Sequence, residues 1–320
     1  MAFTGPGKAY RDGISLINLF NMFPDDETAG KWFEDKLWPK GPFCPRCGSF
    51  DVQSGIKHGS MTHRCRSCPD KRRFSLKTGS VMEGSKLGYR VWVIAIFLCL
   101  TSLKGVSSMK LHRDLGITQK AAWHLAHRLR RAFEEGELAP FAGPTEIDET
   151  FVGGRKKRGI KGRGAVGKAI VAGAKDRVTK QVSAKVIPNV RGKTLQRFVV
   201  DKAEIGSQVY TDDAGGYRTL PWHHHEVVRH GVGEYVRDQA HTQGIESFWS
   251  MLKRAYDGTY HKMSFKHLDR YVGEFTGRHN MRELGTMRQM EAVAKGMRGK
   301  RLRLDDLTAD NGLPNGARGG

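Results

Sequence analysis

The stretch "TEIDETFVGG" (Thr145–Gly154) decides the fold. Ile147, Phe151 and Val152 are set among polar residues with nearly the period of two that marks a half-buried strand, and Asp148 stands inside it. The next run, "GRKKRGIKGRG" (Gly154–Gly164), is a basic loop with glycine at short intervals and no period of its own. "AVGKAIVAGAKD" (Ala165–Asp176) and "QVSAKVIPNV" (Gln181–Val190) then read as two further strands, which completes a three-strand meander. "GKTLQRFVVDKA" (Gly192–Ala203) has a helical period. "GSQVYTDDAGGYRTL" (Gly206–Leu220) gives a short strand ending in Asp212 and Asp213, and "HHHEVVRH" (His223–His230) gives another. "HTQGIESFWSMLKRAYDGTYH" (His241–His261) closes the series as a helix.

Three hairpin strands, a helix, two strands and a helix is the order of a ribonuclease-H-like core, an α/β fold with a mixed sheet. In such a sheet the first and fourth strands are central neighbours, so Asp148 and Asp212 are expected side by side. Glu246, 246 − 212 = 34 positions after Asp212, would join them from the helix packed across the sheet. Three carboxylates brought together repel one another and need a cation. Hard divalent ions such as Mg²⁺ take oxygen ligands, and two of them about 3.5–4 Å apart clamp both oxygens of an in-line phosphoryl displacement. Glu246, Ser250 and Lys253 share a helix face, so Lys253, with Arg254 beside it, is placed to meet a phosphate. Taken singly each acid has an ordinary reading. Glu246 with Lys253 makes a solvated stripe, Asp213 suits a helix N-cap, and Glu149 should point to the face opposite Asp148. Only the joint arrangement points to catalysis. His223–His225 reads as the exposed edge of a strand rather than as a metal site.

The charge supports a polyanionic partner: 54 Lys and Arg against 33 Asp and Glu give a formal +21 over 320 residues. No secretory signal stands at the N-terminus, and the most apolar run, "VWVIAIFLCL" (Val91–Leu100), is shorter than the about 20 residues of a membrane span. It reads as a buried helix with Cys99 as a core residue. The expectation is a cytoplasmic protein with no membrane segment, in a reducing compartment where paired cysteines hold metal more often than they form disulfides.

Four cysteines follow that rule. "CPRC" (Cys44, Cys47) and "CRSC" (Cys65, Cys68) are separated by 65 − 47 = 18 positions, the spacing of two zinc knuckles that close one tetrahedral structural Zn²⁺ site. Further on, "SSMKLHRDLG" (Ser107–Gly116) is a short helix with a glycine stop, and "ITQKAAWHLAHRLRRAFEEG" (Ile117–Gly136) a helix with one apolar face. Its other face carries Lys120, Arg128 and Arg131 with Gln119, His124 and His127. Short helix, glycine turn and basic helix fit a helix-turn-helix unit, a reading the charge favours over an ordinary helical hairpin. The organisation expected is a helical segment at 1–39, a zinc ribbon at 40–80, a helix-turn-helix segment at 86–138, the catalytic domain at 144–285 and a basic tail without fixed structure at 295–320.

"EIDETFVGGRKK", "VYTDDAGGY", "HTQGIESFWSMLKRAYDGTYH" and "FKHLDRYVGEFTGRHNMR" together resemble bacterial insertion-sequence transposases of the DDE class. "CPRCGS" and "FSLKTGSVMEGSKL" narrow the resemblance to the branch with an N-terminal zinc ribbon. The likeness runs from about Asp25 to Asn280. It implies Mg²⁺ or Mn²⁺ dependence, an acidic triad at Asp148, Asp212 and Glu246, and cleavage and strand transfer of double-stranded DNA at transposon ends. Asp212 is preferred over Asp213 because it ends the strand. Arg155, Lys156 and Lys157 of the basic loop would grip DNA with Lys253, Arg254, Lys120, Arg128 and Arg131. Work on two ends implies a homodimer or larger assembly. A DNA-binding regulator that kept the fold and lost the chemistry is the alternative. A ribonuclease-H-type nuclease or resolvase shares the carboxylates but does not need a ribbon and a helix-turn-helix.

Overall fold

Polar side chains start the first two helices by accepting amides that have no partner within the helix. Ser15 accepts from Asn18 N before α1 (Leu16–Met22), and Asp25 accepts from Thr28 N at 2.7 Å before α2 (Asp26–Leu37). The computed structural model describes residues 12–70, 72–134, 138–153, 167–212, 215–217, 219–228, 242–310 and 312. The chain divides into two compact units, one made of the residues up to Glu134 with Met281–Ala309, the other built on Glu135–Asn280.

In the first unit, β1 (Val52–Ser54), β2 (His63–Cys65) and β3 (Arg73–Phe74) form a small antiparallel sheet. Trp38, His63 and Phe74 are in ring contact beneath it, and Trp38, Phe74 and the buried cysteines join the core of the surrounding helices. The apolar run forms α3 (Tyr89–Thr101), with Trp92, Ile96 and Cys99 buried. Ser107 caps α4 (Ser108–Leu115), which ends at Gly116 with φ +61°, a left-handed conformation glycine takes without steric cost. After Gly116 and Ile117, Thr118 caps α5 (Gln119–Phe133) through Ala121 N.

The second unit is a five-stranded sheet. β4 (Thr145–Val152), β5 (Ala169–Asp176) and β6 (Val182–Ile187) form the antiparallel meander. α6 (Gly192–Lys202) leads to β7 (Gln208–Asp212), which pairs parallel with β4, and β8 (His224–Val228) pairs parallel with β7. The order β6-β5-β4-β7-β8 is that of a ribonuclease-H-like fold, with β4 and β7 adjacent. Alternation gives the sheet two apolar faces. Ile147, Ala172 and Ala174 pack with Leu195 and Phe198 of α6. Val152 and Val171 pack on the other face with Ile245, Phe248 and Trp249 of α7 (Gln243–Ala255) and Phe275 of α8 (Leu268–Asn280).

The chain then returns to the first unit through α9 (Thr286–Gly296) and α10 (Leu304–Thr308). Met290, Val293, Ala294 and Met297 enter its core, Val81 N donates to Met297 O at 3.0 Å, and Gly299 N to Gly79 O at 2.8 Å. This corrects the expectation of an unstructured tail from residue 295: Leu302 and Leu307 are buried, and Arg303 is tied to Asp306 across the first turn of α10. The glycine and charge in the run conceal these widely spaced apolar anchors from a compositional reading. The main segment of the second unit ends at Asn280, short of the 285 expected for the catalytic domain.

The same covering corrects the reading of α5. Arg128 is 7% exposed, donating to Leu302 O at 3.2 Å and Glu83 O at 2.9 Å, and His127 is fully buried. The returning segment covers the side of α5 that carries Arg128, so Arg128 is a buried anchor there rather than a DNA contact. Lys120 and Arg131 remain exposed, Arg131 paired with Glu134.

Candidate active site and metal centre

Parallel pairing of β4 with β7 matches Thr145 to Val209 and Glu146 to Tyr210, an offset of 209 − 145 = 64. The same offset sets Asp148 against Asp212, at the end of β7. One carboxylate oxygen each from Asp148, Asp212 and Glu149 lie within 4.8 Å of one another. Glu149 was expected to face away, and its side chain does stand on the α6 side, where Tyr217 Oη donates to Glu149 Oε2 at 2.8 Å. It joins the group because a glutamate side chain is long enough to reach the place where the two faces meet.

Asp148 is fixed from the other face. Trp249 Nε1 donates to Asp148 Oδ2 at 2.9 Å, and Glu149 N to Asp148 Oδ1 at 2.8 Å. Gly173, the cross-strand partner of Asp148, leaves room for the indole: a Cβ there would meet the Trp249 ring at 2.6 Å. Burial first, then the charges of Asp212 and Glu149, push the Asp148 carboxyl up to about 7. Burial and Asp212 also raise Glu149, against the hydrogen bond from Tyr217. Oxygen donors with unbalanced charge suit a hard divalent cation.

Glu246 is not in the group. It is exposed on the first turn of α7, and its Oε1 accepts from Thr242 Oγ1 at 3.0 Å. It lies three residues before Trp249, one helical step from the residue that touches Asp148. The carboxylate held against the core at this helix start is Glu146, at 2% exposure. It accepts from Ile245 N at 2.9 Å and from Arg177 Nε at 2.9 Å, and Arg177 lies over the Tyr210 ring at 3.9 Å. This network ties α7 to β4, β5 and β7. Position 146 on the face opposite Ile147 was its only trace in the sequence. Lys253 and Arg254 are exposed on α7. Arg155, Lys156 and Lys157 lie outside the described residues, as does Asp213.

In the first unit the four cysteines converge as the spacing requires. Their sulfurs lie within 4.8 Å of one another, with Cys44 Sγ 3.5 Å from Cys68 Sγ and Cys47 Sγ 3.6 Å from Cys65 Sγ. A tetrahedron with arms of about 2.3 Å has edges of about 3.8 Å, so the residues fit Zn²⁺. Burial opposes ionisation of Cys44, yet the amides of Cys47 and Arg46 and the neighbouring thiols bring it down to about 7, while the same sharing of hydrogen bonds pushes Cys68 up to about 12, so without a cation the thiols hold a proton between them.

Residues 140–280 match the ISXO2-like transposase domain, and residues 24–71 the transposase zinc-ribbon domain. The chain belongs to the zinc-ribbon branch of the DDE-class insertion-sequence transposases. The transposase is also 29% identical over 256 residues to an uncharacterized protein in transposable element ISH50 of Halobacterium salinarum, a match covering 72% of this chain and 83% of that protein. Among the described residues the transposase has no helix long and apolar enough to cross a membrane.

Proposed function

We propose that this transposase cleaves and joins DNA at the ends of its element, with Asp148, Asp212 and Glu246 holding divalent cations. The observation that carries the proposal is the meeting of Asp148 and Asp212 across β4 and β7, where burial and the charge of Asp212 raise the Asp148 carboxyl. When bound, Mg²⁺ or Mn²⁺ activates water or a 3′-hydroxyl and stabilises the leaving oxygen of an in-line displacement. The protein's part is orientation. Trp249 holds one Asp148 oxygen by its indole donor and the Glu149 amide holds the other, which fixes the carboxylate's direction while each oxygen keeps a further lone pair for a cation. The Glu146–Arg177 pair anchors the start of α7, and with it the backbone that carries Glu246.

Glu246 would have to turn from Thr242 to hold the cation, and Glu149, held by Tyr217, would supply a fourth carboxylate to the same charge balance. Lys253 and Arg254, with the Arg155–Lys157 loop, receive backbone phosphate. The zinc ribbon and a helix-turn-helix made of α4 and α5, read through the exposed Lys120 end of α5, recognise the terminal inverted repeats. Action on two ends calls for at least a homodimer. The chemistry needs no covalent link between protein and DNA, so no Ser or Tyr nucleophile is assigned.

Purified protein with Mg²⁺ and DNA bearing the element's ends should nick at the end of the element, and Asp148→Asn should bind that DNA without cutting it. Equal cutting by the variant would end the assignment.

A further inference from the structure

The zinc ribbon carries a feature that the cysteines do not explain. Arg46, Arg64, Arg72 and Arg73 line a depression of about 460 Å³ on it, and all four are exposed. Arg64 and Arg73 are direct cross-strand partners in the β2–β3 ladder. Like charges directly opposite destabilise a sheet, all the more one whose last strand is two residues long. Among the described residues no carboxylate is paired with Arg64, Arg72 or Arg73, whereas neighbouring Arg66 reaches Asp51 at 3.6 Å. Two of the four are held in place by the ribbon's own backbone: Arg72 Nε donates to Cys68 O at 2.7 Å, and Arg46 Nη1 to Arg73 O at 3.2 Å. The depression is therefore a prearranged set of guanidinium groups, two of them fixed to the zinc knuckle and its partner strand. Between Lys40 and Phe74 the sequence holds eight Lys or Arg against two Asp, so the surroundings leave the charge unbalanced.

We propose that this depression is a phosphate clamp for the DNA backbone, gripping successive phosphodiesters without reading sequence. The inference rests on the transposase reading for its ligand and adds the site to it. Guanidinium forks match phosphate oxygens two at a time, which a lysine cannot do. A duplex, with one charge per about 1.7 Å of axis, offers enough phosphates to engage all four. Contacts to phosphate position a protein on DNA and carry no base information. The clamp thus raises affinity equally for element ends and for arbitrary DNA.

The test uses full-length, zinc-loaded protein without divalent cation, titrated with a short duplex of arbitrary sequence and with element-end duplex between about 50 and 200 mM salt. Each lost phosphate contact reduces the slope of log K against log salt by about 0.9. Arg64→Gln/Arg73→Gln should therefore flatten the slope by about 2 for both duplexes, while Lys57→Gln, on the ribbon outside the depression, should not do so. An unchanged slope with zinc retained overturns the clamp and leaves an acidic protein as the better partner for these arginines. Should the double variant lose zinc, an arginine-modifying reagent on the native protein decides: DNA should protect Arg64 and Arg73, and equal labelling with and without DNA overturns the clamp. Failure of the clamp in a protein that still cuts DNA leaves the catalytic proposal standing. A protein that shows the clamp but cannot cut loses only the catalytic proposal.

Discussion

Trp249 Nε1 lies 2.9 Å from Asp148 Oδ2, so a residue that belongs to the hydrophobic core also aims a carboxylate of the candidate metal site. Replacing Trp249 by Phe keeps most of the apolar ring and removes the donor. Cleavage should fall by about tenfold or more, consistent with about 1.5–3 kcal/mol for a hydrogen bond to a charged group. DNA affinity should hold. Single-turnover cleavage beside a binding titration checks this, and wild-type cleavage would show that the indole only fills space.

Gly173→Ala tests the same contact from below. A Cβ at 2.6 Å from the indole forces Trp249 to move, which should cost about 1–3 kcal/mol in thermal or urea unfolding and lower cleavage with it. Loss of stability with cleavage intact would separate the two roles.

Acidity should govern metal binding. With its pKa at about 7, Asp148 holds its proton in the folded, metal-free protein over a range where the unfolded chain has released it. That contribution to stability is fully present below about pH 4 and is lost as pH rises through about 7, at most about 4 kcal/mol. Divalent cations displace the proton and restore the loss. The increase in Tm on adding Mg²⁺ or Mn²⁺ should thus be larger at pH 8 than at pH 5.5, and absent in Asp148→Asn. A shift independent of pH would argue that the cation binds elsewhere.

Glu246→Gln and Glu149→Gln separate the two candidates for the remaining ligand. The first should abolish cleavage, by at least about a hundredfold, on the reading that Glu246 turns to the cation. The second should weaken the apparent affinity for Mg²⁺ several-fold and leave the cleavage rate at saturating metal nearly intact. The opposite ranking, measured in Mg²⁺ titrations of cleavage, would transfer the ligand role to the residue already in contact.

Breaking the buried pair should be costly without touching the chemistry directly. Arg177→Met leaves Glu146 charged and buried against Ile245 N, and should destabilise the protein by about 3–5 kcal/mol. Zinc removal makes a parallel case in the other unit: Cys44→Ser should release one metal equivalent per chain and abolish DNA binding through the ribbon. Retention of metal, read by emission or a colorimetric chelator, would refute the four-cysteine site.

The sequence by itself determined which elements form and in what order, because periods of two and of 3.6 and the spacing of cysteines are local properties. Asp148 opposite Asp212 could be foreseen for that reason, once β4 and β7 were taken as neighbours. Side-chain reach and the path of the returning chain are not local. Glu149 enters the carboxylate group through the reach of its side chain, and Glu246 stands apart, exposed and hydrogen-bonded to Thr242. Arg128 is buried only because Leu302 comes back from 174 positions away to cover it. Burial depends on what else arrives at a surface, and that is decided by the tertiary structure alone.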